Sequence, residues 1–362
     1  MLEFEFVQVA VGNRDKFLRN PSETEWEQLF YFAQKQSLLG FLFCAIERLP
    51  NEQRPQRDLL LKWYAMAEKI KRTNAKLNMR CAELTTILKE GGFKGCALKG
   101  QGVALLYPKP EYRQSGDIDM WVGTSDGELA SIASVVSYAK HRGVSVSHID
   151  IKHADMHFFN DAQVEIHFKP SYSYNFIYDC RLTSWFQAKS KEQFENFDCT
   201  VGFAYPTIPF NLVYSLLHIY RHLFSEGIGL RQVLDYYYIL TNSTKDERKL
   251  AYEDVCHFGM KEFAGAAMYV LQEVFGLQEE FLLCESSKKS GSFILNEILL
   301  AGNFGQYDTR MKRINKEKRI ERGGCSWQEI FVLFVTTHMK FCSPQYGNVG
   351  IMVGEKNMGI YK

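Results

Sequence analysis

Two aspartates lie two residues apart in a segment of alternating polarity. Asp117 and Asp119 alternate with Ile118, Met120 and Val122, so on a β-strand the acids share one face and the apolar residues face the core. Neighbouring carboxylates repel each other and lose hydration, so this arrangement favours a hard divalent cation such as Mg²⁺. A solvated strand face is the alternative, and the Asp-x-Asp spacing alone does not decide between the two.

A third carboxylate, Glu165, lies on a predicted neighbouring strand. Val164, Ile166 and Phe168 have the opposite parity on that strand, so Glu165 faces away from the apolar layer, as does His167. A third acid is therefore available beside the Asp-x-Asp pair.

A tight turn precedes the aspartates along the chain. Leu98-Lys99-Gly100 ends a short apolar run, and residues 101–107 can open a helix. The free N–H groups at such a strand-to-helix turn, together with the ammonium of Lys99, are suited to receive phosphates. We therefore expect a phosphate-binding turn near the acids.

Helices must support these residues from the N-terminal side. Ser22 and Glu25 form a capping box that predicts a helix from about residue 23. Apolar residues recur every three or four positions from Asp58 to Lys89, before Gly91-Gly92. This second stretch predicts one long helix or two nearly collinear helices.

The period of the apolar pattern changes near residue 93 and changes back after Pro209. Between these points we predict strands around residues 96–98 and 117–122, a helix at 127–141, and a β-hairpin formed by 156–159 and 164–168. Helices are predicted again at 212–224, 230–240, 252–275, 293–300 and 327–341. The predicted domains are an N-terminal helical subdomain (1–90), an α/β core (91–205) and a C-terminal helical subdomain (206–362).

Composition limits the class of protein. The 362 residues are 46% hydrophobic, and 43 basic side chains balance 42 acidic ones, which excludes general disorder and any global attraction to polyanions. Nine scattered cysteines without a C-x-x-C pair argue against disulfides and a cysteine zinc site. No signal peptide or membrane span is evident, so we expect a cytoplasmic protein. P-loop, complete dinucleotide-binding and serine-esterase motifs are absent.

Several motifs resemble, in order and spacing, the uncharacterised bacterial nucleotidyltransferase family of the DNA polymerase β-like superfamily. They are Leu98-Lys99-Gly100, Leu106-Tyr107-Pro108-Lys109-Pro110, Arg113, Ser115-Gly116-Asp117-Ile118-Asp119 and Val164-Glu165-Ile166-His167. The resemblance is specific over about residues 90–170 and looser through 217–222 and 229–235. It implies an α+β, predominantly helical protein with a polymerase β-like mixed-sheet core between helical subdomains.

The resemblance also implies an activity. The protein would move a nucleoside monophosphate from an NTP, such as ATP, to a hydroxyl or phosphate of an acceptor and release pyrophosphate. Asp117 and Asp119 would bridge two Mg²⁺ ions, with Mn²⁺ as a possible replacement, and Glu165 would complete the ion nearer the acceptor.

The implied phosphate-binding residues are Lys99, Gly100, Gln101, Arg113, Ser115 and Gly116. The wider superfamily usually has Gly-Ser where this chain has Gly100-Gln101, so the serine contact is missing and Lys99 or Arg113 is the expected substitute. Arg113 either binds phosphate or braces its loop by pairing with Glu111.

Further candidates for the cleft are His167, His218, Arg221, His222 and Arg231. His218 and His222 have zinc-ligand spacing, but the H-E-x-x-H glutamate and a third ligand are missing, so we favour packing against the nucleotide domain. For Arg231 we favour a helix pair with Asp235 over a nucleotide contact.

The sequence leaves several chemical classes of acceptor open. Near-zero net charge favours a small molecule, such as an aminoglycoside-like alcohol or a sugar phosphate, over tRNA or a protein side chain. The basic segment 310–322 is read first as a solvated helix face and second as a nucleic-acid contact. A non-catalytic nucleotide-binding or regulatory module is the alternative function, and the oligomeric state is unknown.

Overall fold

Four helices precede the sheet in the computed structural model, which describes residues 1–173, 175–308 and 310. They are α1 (Leu2–Val11), α2 (Glu23–Lys35), α3 (Leu39–Ile46) and α4 (Arg57–Glu90). The Ser22 side chain accepts a hydrogen bond from the Glu25 backbone N–H, and the Glu25 carboxylate accepts one from the Ser22 backbone N–H. The predicted capping box therefore starts α2 where the sequence places it.

Helix α4 is unbroken over 34 residues, which decides between one long helix and two. At about 1.5 Å per residue it is roughly 50 Å long. Trp63 and Ala67 in its first half pack with the other N-terminal helices. Leu77 and Leu84 in its second half pack under the sheet. One helix thus supports both parts of the molecule.

Seven strands form a single mixed sheet in the described residues. They are β1 (Phe93–Leu98), β2 (Ile118–Thr124), β3 (Val146–Ile149), β4 (His153–Met156), β5 (Val164–His167), β6 (Phe197–Asp198) and β7 (Phe203–Ala204), in the spatial order β3-β4-β5-β2-β1-β7-β6. Strand β2 is antiparallel to β1 and parallel to β5, and β4 is antiparallel to β5. The predicted hairpin is present as β4 and β5, but its first strand lies at 153–156 rather than 156–159, because the connection spans residues 157–163 and not only 160–163.

Three helices are inserted between the strands. They are α5 (Gly100–Ala104), α6 (Ile132–His141) and α7 (Phe176–Glu195). The prediction that α6 begins at residue 127 is wrong. Gly127 has a φ of +85° in a turn, and the helix begins after Ser131, whose side chain accepts a hydrogen bond from the Ser134 backbone N–H.

Five helices follow the sheet in the described residues. They are α8 (Ile208–Ser225), α9 (Leu230–Thr241), α10 (Lys245–His257), α11 (Lys261–Phe275) and α12 (Lys288–Ala301). The single helix predicted at 252–275 is wrong, because Gly259 has a φ of +74° and divides α10 from α11. The helix predicted at 327–341 and, apart from Arg310, the basic segment 310–322 lie outside the described residues.

Both faces of the sheet are covered. Met120 faces a smaller apolar cluster that includes Leu84 of α4 and Val135 of α6. Trp121 faces a larger cluster, where its ring lies 4.7 Å from that of Phe194 and 5.7 Å from that of Phe210. Because Asp119 shares the parity of Trp121, it lies on the face that these helices cover, and its side chain lines a cleft there.

The N-terminal and C-terminal helices share the larger cluster. Just after α1, the Asn13 side-chain amide donates to the Phe275 carbonyl over 2.7 Å and to the Tyr237 hydroxyl over 3.0 Å. The prediction of a predominantly helical α+β protein with a mixed sheet is confirmed. Among the described residues, no helix has both the length and the apolar character that crossing a membrane requires.

Candidate functional site

The backbone brings two of the three predicted acids side by side. Asp119 on β2 is in register with Glu165 on β5 and, on its other side, with Leu98 on β1. Asp117 directly precedes β2 and lines the same cleft. The parallel pairing of β2 with β5 therefore brings Asp119 and Glu165 together, which the sequence pattern alone does not decide.

A histidine and a lysine contact the buried carboxylate of Asp119. His167 Nε2 lies 2.8 Å from Asp119 Oδ1 and 3.5 Å from Glu165 Oε2. Lys99 Nζ also lies 2.8 Å from Asp119 Oδ1. Asp119 is 5% exposed and His167 is 2% exposed, so this small network is shielded from solvent. His167 therefore joins the two acids.

The pKa values of the two aspartates move in opposite directions. Burial alone would raise the pKa of Asp119, but the Lys99 ammonium and the His167 imidazole hold it below its usual range. The charge of Asp119, followed by burial, raises the pKa of Asp117. One firmly ionised carboxylate on β2 thus lies near one, just before the strand, that is harder to ionise.

The basic partners respond to the same charges. Burial would lower the pKa of both Lys99 and His167, yet Asp119 raises the pKa of Lys99, and hydrogen bonds with Asp119 and Glu165 raise that of His167. The hydrogen bond from His167 also lowers the pKa of Glu165. Each charge in the cluster therefore depends on its neighbours.

The donor set at the acids fits a divalent cation. Ligand atoms of Asp119, Glu165 and His167 all lie within 4.8 Å of one another. Carboxylate oxygens are the ligands that Mg²⁺ prefers, and a cation there would relieve the repulsion that raises the Asp117 pKa. Lys99 supplies part of the same compensation, so its ammonium and a bound metal ion would compete for Asp119 Oδ1.

A second group of potential ligands lies on the hairpin of β3 and β4. Ligand atoms of His148, Asp150 and His153 also lie within 4.8 Å of one another. Asp150 Oδ1 accepts hydrogen bonds from the backbone N–H groups of Lys152 and His153. This group is more exposed than the acids on β2 and β5.

The turn after β1 has unusual backbone geometry. Lys99 has a φ of +52° and Gly100 a φ of +22°, a region that L side chains rarely adopt. The Lys99 carbonyl accepts a hydrogen bond from the Val103 N–H in the first turn of α5. The same residue, Lys99, thus has an unusual backbone conformation and an ammonium that contacts Asp119.

Arg113 has a buried partner that the sequence analysis did not find. Its Nε and Nη2 donate to the two carboxylate oxygens of Asp235, each over 2.7 Å. The Tyr107 hydroxyl donates to the same carboxylate over 2.6 Å, and Arg113 Nη1 donates to Ser115 Oγ over 2.8 Å. The alternative pairing of Arg113 with Glu111 is wrong, because α9 supplies the counterion instead.

The predicted helix pair of Arg231 with Asp235 is also wrong, because Arg113 takes the Asp235 carboxylate. Asp235 is engaged by Arg113, and Arg231 Nη1 donates to the Gln114 carbonyl over 2.6 Å. Arg231 lines the cleft, and its Nε is buried without a hydrogen-bond partner among the described residues. Its guanidinium is therefore only partly satisfied.

Helix α8 forms the wall opposite the acids. Arg221 Nη2 lies 2.7 Å from His222 Nε2, and His222 Nδ1 lies 3.3 Å from Glu226 Oε2. Burial lowers the pKa of His222 to about 4 and lowers that of His218 as well. Both imidazoles are therefore neutral near pH 7, and the positive charge of this wall comes from Arg221.

The cleft between these walls has a volume of about 350 Å³, which lies in the range of small-molecule sites. Of the predicted residues it is lined by Lys99, Gly100, Arg113, Ser115, Gly116, Asp117, Asp119, Glu165, His167, His218, Arg221, His222 and Arg231. Gln101 is buried and does not line the cleft. The prediction that the Gln101 side chain contacts phosphate is therefore wrong, because the short helix α5 carries this side chain into the interior.

Other residues of the cleft are not among those predicted from the sequence. Lys152, His153, Ser215 and Glu226 also line it. His153 lies opposite His167, three residues away from the pairing of Met156 with His167 that the predicted four-residue loop at 160–163 gives. The places of Lys152 and Ser215 depend on how the loop before β4 and helix α8 pack around the sheet, which no local pattern records.

An acid cluster on a mixed sheet, facing cationic side chains across a cleft, suits a protein that acts on phosphate groups. Comparison with protein families agrees with that class: the model of an uncharacterised nucleotidyltransferase family matches residues 22–276, and the chain belongs to this family. The match extends well beyond residues 90–170 and includes α8 and α9. No curated protein and no solved structure matches the chain.

Proposed function

We propose that the protein transfers a nucleoside monophosphate from an NTP to an acceptor hydroxyl or phosphate, with Mg²⁺, and releases pyrophosphate. The observation that carries this proposal is the meeting of Asp119 and Glu165 in register, with Asp117 directly before the same strand, in a chain of a nucleotidyltransferase family. We also propose a polymerase β-like core at residues 91–205, flanked by helical subdomains at 1–90 and 206–362.

Three carboxylates are proposed to hold the metal. Asp117, Asp119 and Glu165 supply oxygen ligands, and Mn²⁺ is a reasonable substitute for Mg²⁺ at such a set. When bound, the metal supplies Lewis-acid stabilisation of the charge that develops on the transferred phosphate. His167 holds Asp119 and Glu165 at a fixed separation through its contacts with both.

The triphosphate is proposed to lie on the β1 side of the acids. Lys99, Gly100, Ser115 and Gly116 line that part of the cleft. Arg113 is already committed to Asp235, so it positions Ser115 through Nη1. Arg231, whose Nε has no partner in the described part of the chain, is the guanidinium still available to phosphate on this side.

The transfer step is a substitution at the α-phosphorus. A bond forms from the acceptor oxygen to that phosphorus, and its bond to the bridging oxygen of the β-phosphate breaks. The electron pair leaves with pyrophosphate. Glu165, which is only partly buried and is held by His167, accepts the proton when the acceptor is a hydroxyl.

Thermal unfolding with each of the four NTPs and Mg²⁺ tests the proposal. Ligand at 100 times its Kd adds about 2.7 kcal/mol of stability, so we expect one or more NTPs to raise the Tm of the wild type. Asp119→Asn should weaken that shift, whereas Asp126→Asn, an exposed aspartate outside the cleft, should not.

Pyrophosphate release, measured with cell extract as a source of acceptor, separates transfer from simple binding. We expect release in the wild type and loss of release in Asp119→Asn. An equal Tm shift in wild type and Asp119→Asn would contradict the metal-nucleotide site. Nucleotide binding without release above the Asp119→Asn background would favour the non-catalytic module.

A further inference from the structure

Two cations of the cleft approach one aromatic ring. Lys152 Nζ lies 5.3 Å from the ring centre of Tyr172, and Arg221 Cζ lies 5.2 Å from it. Lys152 directly precedes β4, Tyr172 lies beyond the end of β5, and Arg221 belongs to α8. Three separate parts of the chain therefore bring two positive charges to one place, and both charged side chains line the cleft.

Neither cation forms an ion pair with an acidic side chain in the described part of the chain. Within residues 1–173, 175–308 and 310, neither Lys152 nor Arg221 has a carboxylate within ion-pair distance. Arg221 is 7% exposed, and its Nε has no hydrogen-bond partner in that part of the chain. The nearby Glu226 carboxylate contacts His222 instead. A buried guanidinium with an unused donor is costly unless something else satisfies it.

The two positive charges also act on each other. Burial, followed by the charge of Arg221, lowers the pKa of Lys152. The Glu226 carboxylate feels both charges but forms its ion pair with His222, so the two like charges still repel each other, and an anion between them would reduce that repulsion. The geometry therefore has the features of a site for a negatively charged group.

This pair lies on the far side of the acids from the proposed triphosphate site. The Lys152 carbonyl accepts hydrogen bonds from the N–H groups of Phe168 and Lys169, just after β5. The sheet order β4-β5-β2-β1 thus places Lys152 beyond Glu165, whereas Lys99 follows β1 at the other end. The row of acids separates the two cationic regions of the cleft.

We infer that Lys152 and Arg221 form an acceptor subsite that binds the phosphate of a small phosphate monoester. This inference rests on the proposed nucleotidyl transfer. Two positive charges match the dianion of a phosphate monoester, whose second pKa is near 6, and a guanidinium can bind phosphate in a bidentate manner. A sugar phosphate fits this subsite, whereas a cationic aminoglycoside-like acceptor does not.

Calorimetric titration with inorganic phosphate tests the subsite in the full chain, with saturating Mg²⁺ and a non-hydrolysable NTP analogue present. We expect phosphate to bind together with the nucleotide. Arg221→Gln and Lys152→Gln should each weaken phosphate binding at least about tenfold, the usual effect of losing a charge-assisted hydrogen bond. Both variants should leave the Kd of the nucleotide within about twofold.

A matched control is Arg181→Gln. The Arg181 guanidinium also lies over a tyrosine, 5.6 Å from the Tyr178 ring centre, but it is exposed and outside the cleft. Its replacement should change neither Kd. If Arg221→Gln does not fold, Lys152→Gln and Arg221→Lys carry the test, because Lys152 is only half-buried and lysine keeps the charge at position 221.

Three results would contradict either the acceptor subsite or the proposed nucleotidyl transfer. Competition between phosphate and the nucleotide analogue, or weaker nucleotide binding in both variants, would assign these cations to the triphosphate and reject the inference. Tighter binding of a single-stranded oligonucleotide with the same residue dependence would reject a small acceptor. Phosphate binding that depends on Arg221, in a protein that binds no NTP, would retain the anion site and reject the proposed transfer.

Discussion

At the residue scale, Lys99 occupies part of the space around Asp119 that a metal ion would use. Its ammonium lies 2.8 Å from Asp119 Oδ1, so it compensates the carboxylate when no metal is bound. We expect Lys99→Met to lose about 3–5 kcal/mol of folding stability in EDTA, because a buried carboxylate loses one of its partners. Urea unfolding measures this loss.

Magnesium should restore more stability to Lys99→Met than it adds to the wild type, because the variant has no ammonium to compete with the ion. Lys109→Met is the control, since Lys109 forms an exposed pair with Glu47 whose removal costs at most about 1 kcal/mol. Equal gains from Mg²⁺ in Lys99→Met and in the wild type would show that Lys99 and the metal do not share a site.

His222 should make stability depend on pH. Its pKa is about 4 in the folded protein because of burial and about 6.5 in an unfolded chain. The unfolded state therefore binds more protons between these values, so stability falls as the pH is lowered from about 6.5 to about 4. The loss from this residue amounts to at most about 3 kcal/mol.

Urea unfolding at a series of pH values measures this effect. We expect His222→Gln to show a shallower loss of stability than the wild type between pH 6.5 and 4. His157→Gln, which removes an exposed imidazole, should keep the slope of the wild type. The same slope in all three proteins would refute the assignment to His222.

Some parts of the site follow from local sequence and others do not. Asp119, Glu165 and His167 follow from strand parity, because alternation decides which face a side chain takes. The contacts of Arg113 with Asp235 and of Arg221 with Tyr172 join residues far apart in the chain. No local pattern records such a contact, because it depends on how the helices pack over the sheet.

At the element scale, the capping box is the local signal that the structure confirms most directly. Ser22→Ala should cost about 1 kcal/mol, because the backbone N–H of Glu25 loses its acceptor. Thr86→Ala is the control, since the exposed Thr86 hydroxyl donates to the Ala82 carbonyl within the same helix and caps no helix end. Chemical denaturation of both variants measures the difference, and equal costs would mean that the cap is not what stabilises the start of α2.

Helix ends were harder to predict than the helices themselves. The apolar pattern continues across Gly259, so periodicity predicts one unbroken helix there, and it places the start of another helix at Gly127. In the structure both glycines have a positive φ, a conformation that ends a right-handed helix. A glycine inside an apolar period is an ambiguous signal, and tertiary packing decides whether the helix passes through it.

At the scale of the whole molecule, the buried pair of Arg113 and Asp235 connects the loop before β2 to α9. Asp235→Ala should cost about 3–5 kcal/mol, because it leaves the Arg113 guanidinium buried without a counterion. The double variant Arg113→Met, Asp235→Leu should recover most of this loss. Urea unfolding of the single and double variants measures both values.

The exposed pair of Lys109 with Glu47 again provides the comparison. Glu47→Ala should change stability by no more than about 1 kcal/mol. If Asp235→Ala costs as little as Glu47→Ala, the buried pair does not hold the loop to α9. If the double variant is no more stable than Asp235→Ala, the loss does not come from an unpaired charge.

The contact of Asn13 with Phe275 means that α1 cannot complete its packing until α11 has been synthesised. Ribosomes add about 5–20 residues per second, so the partner of the first helix emerges on the order of ten to fifty seconds after it. The side of α1 that packs against α11 cannot be covered before then. A nascent chain of this protein therefore exposes an apolar surface for most of its translation, which is the kind of surface that chaperones bind.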